Sequence, residues 1–136
     1  MPPRKLRTIV VLDTNVVVGF HRSRSGKGAN AAVFKRWLTS HDLQLIVSGE
    51  VIAEYFEVLD RIDVPERRIR TFRRQLREFS TVTHVTPGPR PAISRDPDDD
   101  VMIAAAIAGR AEFLITNDRD LLDIAEEHKR NFAFKS

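Results

Sequence analysis

Aspartates are the residues in this chain whose types and spacing could do chemistry. Four of them fall within five positions: Asp96, Asp98, Asp99 and Asp100. An alanine-rich apolar run, residues 101–108, follows them; it reads as a helix buried on most sides, with Gly109 as its left-handed glycine stop. Two more stand where buried strands are expected to end, Asp13 after residues 8–12 and Asp118 after residues 113–116. A carboxylate at the end of a buried strand is costly unless it is paired or bound to a metal. In open α/β sheets, ligands collect at the carboxyl ends of the strands and at the neighbouring helix starts. Hard divalent cations want such oxygen ligands, and Mg²⁺ takes few carboxylates and keeps several waters. A metal held there could position a water, lower its pKa and stabilise the departing oxygen of a phosphodiester. That chemistry needs no cysteine and no nucleophilic side chain. The structural alternative is that Asp98 to Asp100 cap a helix and complement its dipole, that Asp13 caps the next helix, and that Asn117-Asp118 is a polar turn.

The elements that must position these acids follow from periodicity. Residues 8–12 are β-branched and continuous, as in a central parallel strand buried on both faces. A short helix is expected to start over residues 16–20. Residues 21–30 form a polar, glycine-containing loop carrying Lys27; its glycine-to-lysine spacing does not make a Walker phosphate loop. A helix over residues 31–40 has Val33, Phe34, Trp37 and Leu38 at helical spacing, with Trp37 read as core. Residues 43–47 are a second strand, after which Ser48 caps a helix running to about residue 59. Glu54 shares a face of that helix with Val51 and Val58, and periodicity alone makes it an ordinary boundary residue. Pro65 suits a first helical position. The helix over residues 66–79 buries Ile69, Phe72, Leu76 and Phe79, while Arg67, Arg68, Arg70, Arg73, Arg74 and Arg77 occupy its other faces. Those arginines read either as a solvated face or as phosphate contacts. A third strand over 81–85 and a proline-rich connector over 86–94 lead to the acid cluster. A helix over 121–127 and an edge strand over 131–134 complete the chain. Strands alternating with helices argue an α/β fold with a mainly parallel sheet.

The 136 residues suit one domain, 1–136, with residues 1–7 as a basic tail. The absence of cysteine excludes disulfides and thiolate zinc sites, and the four histidines show no metal-binding spacing. Basic residues before an apolar run resemble a signal peptide, but Asp13 and Asn15 break the run. No stretch is apolar enough to span a membrane, so a cytoplasmic protein is expected. Net charge is +3, and because the acids cluster the remaining surface is more basic than that total. A polyanionic partner is therefore permitted.

Four segments, in order along the chain, resemble the PIN-domain ribonucleases, in particular the VapC-like toxins of toxin–antitoxin pairs. They are VVLDTNVVV (10–18), SGEVIAEYFEVL (48–59), RDPDDDVMIAAAIA (95–108) and ITNDRDLL (115–122). The resemblance implies a PIN-like three-layer α/β/α fold with a mainly parallel central sheet. It implies a catalytic metal site for Mg²⁺ or Mn²⁺ made by Asp13, Glu54, Asp100 and Asp118, and it raises Glu54 from boundary residue to ligand. Asn15 and Thr116 match positions that orient the acids by hydrogen bonding, and Asp120 matches a frequent assisting acid. Within the acid cluster, the family spacing before IAAA selects Asp100, with Asp96, Asp98 and Asp99 as alternatives. The implied partners are an RNA substrate, an antitoxin protein and a second copy of the chain. The sequence departs from the family at its end, since relatives usually continue through a last strand and a proline-containing tail.

Three functions compete at this stage. The first is a metal-dependent endoribonuclease cleaving RNA by metal-activated water, with Arg70, Arg73, Arg74 and Lys27 on the RNA backbone. The second is a non-catalytic RNA-binding or partner-binding PIN module, against which the full acid set argues. The third is a phospho-acceptor receiver domain, which would expect paired acids after strand one and a lone acceptor on a middle strand.

Overall fold

The computed structural model describes residues 7–22, 29–88 and 97–116. In chain order these are β1 (Thr8–Leu12), α1 (Thr14–Arg22), α2 (Ala29–Ser40), β2 (Leu43–Ser48), α3 (Gly49–Arg61), α4 (Glu66–Glu78), β3 (Val82–Val85), α5 (Pro97–Gly109) and β4 (Phe113–Ile115). The strands form one sheet in the order β3-β2-β1-β4, with every pairing parallel. The fold is α/β, in three layers. Crossovers between parallel strands are right-handed. The steps from β1 to β2 and from β2 to β3 run in one direction, which puts α1 to α4 on one face. The step from β3 to β4 runs back across the sheet and puts α5 on the other.

Both central strands are covered on both faces. Val10, Val11, Leu12, Leu45, Ile46 and Val47 are all buried, as continuous apolar strands of a parallel sheet require. On the four-helix face, Phe72 of α4 is the hub of a ring cluster. Its ring centroid lies 5.1 Å from His21, 5.3 Å from Phe34, 5.4 Å from Phe56 and 6.0 Å from Tyr55. Trp37 is core, and its indole N–H donates to the Thr81 carbonyl at 3.1 Å. On the other face, residues 101–106 of α5 are buried, and its alanines let the helix backbone approach the sheet.

Two sequence expectations change. Gly109 does not supply a left-handed stop; that conformation belongs to Arg110, with φ 53°. Gly109 is instead where α5 presses on β2, since a Cβ there would lie 2.6 Å from Ile46 Cγ2. Second, α1 begins directly after Asp13 and runs through His21, a residue the sequence pattern assigns to the loop. The helix continues because an apolar niche awaits His21: its ring is edge-on to Phe20 and Phe34, and Nδ1 donates to the Val17 carbonyl at 2.9 Å. The sheet is parallel throughout its described strands, in keeping with the mainly parallel sheet expected. The helix expected over 121–127, the strand over 131–134 and tail residues 1–6 lie outside the described residues. No described helix is long and apolar enough to cross a membrane.

Candidate active site

The site is built at the carboxyl edge of β1 and β4. Their register pairs Leu12 with Ile115. The next residues, Asp13 and Thr116, therefore stand side by side. Thr116 Oγ1 donates to Asp13 Oδ2 at 2.7 Å, and the Thr14 backbone N–H donates to Oδ1 at 2.9 Å. The Asp13 N–H extends the ladder to the Ile115 carbonyl at 2.9 Å, and its own carbonyl accepts from Val16 N–H at 3.0 Å. Asp13 thus opens α1, but its side chain bonds the first helical N–H and a strand-end hydroxyl. A capping side chain would bond the second or third N–H. The carboxylate is only 6% exposed. A group this buried and this oriented needs a compensating charge or charge-assisted bonds.

Two other elements close on this edge. β2 ends at Ser48, whose hydroxyl accepts from Val51 N–H at 3.1 Å and starts α3. About two turns on, the buried Tyr55 phenol donates to the Leu12 carbonyl, immediately before Asp13. Burial, and next the negative charge of Asp13, push the phenol's pKa well above the ordinary tyrosine range, so it remains a donor. Glu54 precedes Tyr55 and is half-buried. α3 packs on α5, whose first turn carries Asp100, also 6% exposed. Beside Asp13, Thr14 Oγ1 is buried with no hydrogen-bond partner among the described residues.

The PIN domain family matches residues 9–120, most of the chain. The chain belongs to the PIN domain family. Searches of the curated proteins and of the solved structures returned no match. PIN domains are generally nucleases, which places this one among the hydrolases at a coarse level and leaves the receiver reading without support.

Within this PIN domain the structure brings Asp13 and Thr116 into direct contact and packs together the helices that carry Glu54 and Asp100. Asn15 lies exposed on α1. Arg70, Arg73 and Arg74 are exposed on α4, with the Arg73 guanidinium 4.1 Å from the centre of the Phe56 ring. Lys27, Asp96, Asp118 and Asp120 lie outside the described residues, as do the side chains of Asp98 and Asp99. Among the described residues, no group of three or more acids or histidines is arranged to hold a metal ion. The donors nevertheless fit a hard divalent cation in kind: buried carboxylate oxygens and an orphaned hydroxyl, with no sulfur or imidazole. Mg²⁺ is commonly held by one or two carboxylates, waters and substrate phosphate. Tyr55 and Thr14 escaped the sequence reading. An aromatic beside Glu54 and a hydroxyl beside Asp13 were visible, but their long-range or missing partners were not.

Proposed function

We propose that this PIN domain is an endoribonuclease dependent on Mg²⁺ or Mn²⁺, acting in the cytoplasm as the toxin of a toxin–antitoxin pair. The observation that carries the nuclease reading is the Asp13 carboxylate, desolvated at a strand edge and fixed through both oxygens by Thr14 N–H and Thr116 Oγ1. Asp13 and Asp100 would hold the cation, with Glu54 and Asp118 completing its acid set. When bound, the cation would polarise the scissile phosphate and make the attacking water more acidic. The protein's own part is orientation. Thr116 and the start of α1 set the plane of the Asp13 carboxylate. Tyr55 ties α3, and with it Glu54, to the end of β1. The toxin reading rests on the likeness of the four motifs to VapC-like proteins, and it brings an antitoxin and a homodimer as expected partners.

The test compares the parent and Asp13→Asn on total RNA with Mg²⁺, Mn²⁺ or EDTA. The parent should cleave with either metal and not with EDTA. Asp13→Asn should be inactive while keeping the parent's circular dichroism. Equal cleavage by a folded Asp13→Asn would sink the site. RNA binding by the parent without cleavage under any metal would instead support the non-catalytic module. An antitoxin-like reading frame beside the gene would bear on the toxin role.

A further inference from the structure

α4 carries six arginines against two glutamates in thirteen residues, a net charge of +4, and no lysine. The fold divides these arginines into two sets. Arg68 and Arg73 flank the buried row of Ile69, Phe72 and Leu76. Arg68 Nη1 donates to the His21 carbonyl at 3.1 Å, and Arg73 lies over Phe56. These two hold α4 to α1 on one side and to α3 on the other. Arg67, Arg70, Arg74 and Arg77 remain. They are spaced by three, four and three residues, so they line up along one side of the helix. All four are exposed. The stripe runs about 15 Å at 1.5 Å per residue.

Between Glu66 and Glu78 at its two ends, this face carries no acid, where a solvated face would ordinarily be mixed. Like charges at these spacings destabilise a helix. Among the described residues, Arg67, Arg70 and Arg74 make no ion pair, and Arg77 reaches Glu78 only at 3.9 Å. Arg70 also lines a cleft with Asp60, Asp63 and Glu66, whose acids lie at the α3–α4 junction. The junction is therefore locally neutralised, while the stripe beyond it is not. The helix is also coupled to the acid edge. Phe72 packs on Tyr55, whose phenol bonds the carbonyl before Asp13.

We infer that Arg67, Arg70, Arg74 and Arg77 form a track for the phosphodiester backbone of single-stranded RNA, and that Arg68 and Arg73 fasten the helix that presents it. The inference rests on the nuclease reading for its choice of RNA. A planar guanidinium with several donors suits phosphate oxygens, and its charge persists at every working pH. Backbone contacts of this kind position a strand without reading its sequence. The row of positive charge is linear, as a strand is.

The test is fluorescence-anisotropy binding of a labelled single-stranded oligoribonucleotide to the full chain in EDTA, across a salt series. Each lost phosphate contact should lower the logarithmic salt slope by about 0.7, so neutralising all four to Gln should lower it by about 3. Those contacts alone account for a roughly fiftyfold loss of parent affinity between 50 and 200 mM salt, which the variant should not show. Arg68→Gln with Arg73→Gln should melt earlier yet keep the parent's salt slope. An unchanged slope in the folded quadruple variant would overturn the track. So would tighter binding of a glutamate peptide of equal charge than of RNA, because the partner would then be an acidic protein. Cleavage by the parent is scored separately. If the parent does not cleave but the slope falls as expected, the track stands and the nuclease reading fails. If the parent cleaves and the slope is unchanged, the track fails alone.

Discussion

α4 and α5 are both thirteen residues long, and their charges lie in opposite places. α5 has its acids in the first turn and then no charge through Gly109; residues 101–106 are buried. α4 has charge in every turn and buries only Ile69, Phe72 and Leu76. On the proposed nuclease reading, the difference follows from what each helix would present. A carboxylate meant to share a cation with other acids belongs on an element that cannot move. α5 meets this by lying close on the sheet, with its backbone at Gly109 against Ile46. On the proposed reading the charges of α4 would follow a flexible polymer, and its long exposed side chains would give them reach. α4 is held by one row of rings and two arginine flanks, so its attachment is concentrated, whereas that of α5 is spread along its length.

The largest expected effect breaks that concentration. Phe72→Ala removes the ring that touches His21, Phe34, Phe56 and Tyr55. Truncating a buried Phe costs about 3–5 kcal/mol, a large share of a typical domain's stability of about 5–15 kcal/mol. Urea unfolding should show this loss. Phe72→Leu, which keeps an apolar filler, should recover a good part of it. A loss below about 1 kcal/mol for Phe72→Ala would mean that α4 is not hung on this ring.

A smaller effect is expected at α5. Gly109→Ala would set its Cβ 2.6, 2.8 and 2.9 Å from three side-chain carbons of Ile46. Ile46 is buried and β-branched, so it has little freedom to turn aside. The overpacking should cost about 1–3 kcal/mol. In an Ile46→Ala background the same substitution should cost less, and a double-mutant cycle by urea unfolding measures that coupling. Additive effects would show that α5 can shift off the sheet, contrary to its close seating.

The same contrast explains what the sequence made legible. Strand periodicity placed β1, β2 and β4 to within a residue, because continuous apolar runs have few other uses in a parallel sheet. Helical spacing gives the buried Ile69, Phe72 and Leu76 of α4, while Phe79, expected in the same row, is the half-buried C-cap just past the helix. The end of α1 was missed because a histidine reads as polar, while this one fits a niche formed by Phe20, Phe34 and Phe72. Gly109 was located but given the wrong reason, since close approach to Ile46 is a contact between residues far apart in the chain. At the site, Asp13 was legible as an acid at a strand end. Its partner Thr116 lies 103 residues away and depends on register. Glu54 was never legible from periodicity; its helix must first be joined to β1 through Tyr55 before its place has meaning. The arginines were visible as a group, but their division into fasteners and stripe needs the neighbours of α4.

The smallest effect sharpens the comparison from the side of α4. His21 ends the buried part of α1 where α4 docks: its ring faces Phe72, and its carbonyl accepts from Arg68. Burial pushes its pKa below the ordinary histidine value; the hydrogen bond to the Val17 carbonyl opposes this, and the Arg68 charge adds to it. The unfolded chain therefore takes up a proton near pH 6.5, before the folded chain does. Between the two values the unfolded state holds more protons, so stability rises with pH through that window and falls as the solution is acidified below about 6.5. One proton limits the slope to about 1.4 kcal/mol per pH unit. His21→Phe keeps an aromatic ring in the niche and removes the titration. Chemical unfolding of parent and variant from pH 7.5 to 5 should give a shallower decline for His21→Phe, while the carboxylates contribute equally to both. Parallel declines would show that His21 is not charged on unfolding in this range, and that the docking of α4 is insensitive to pH.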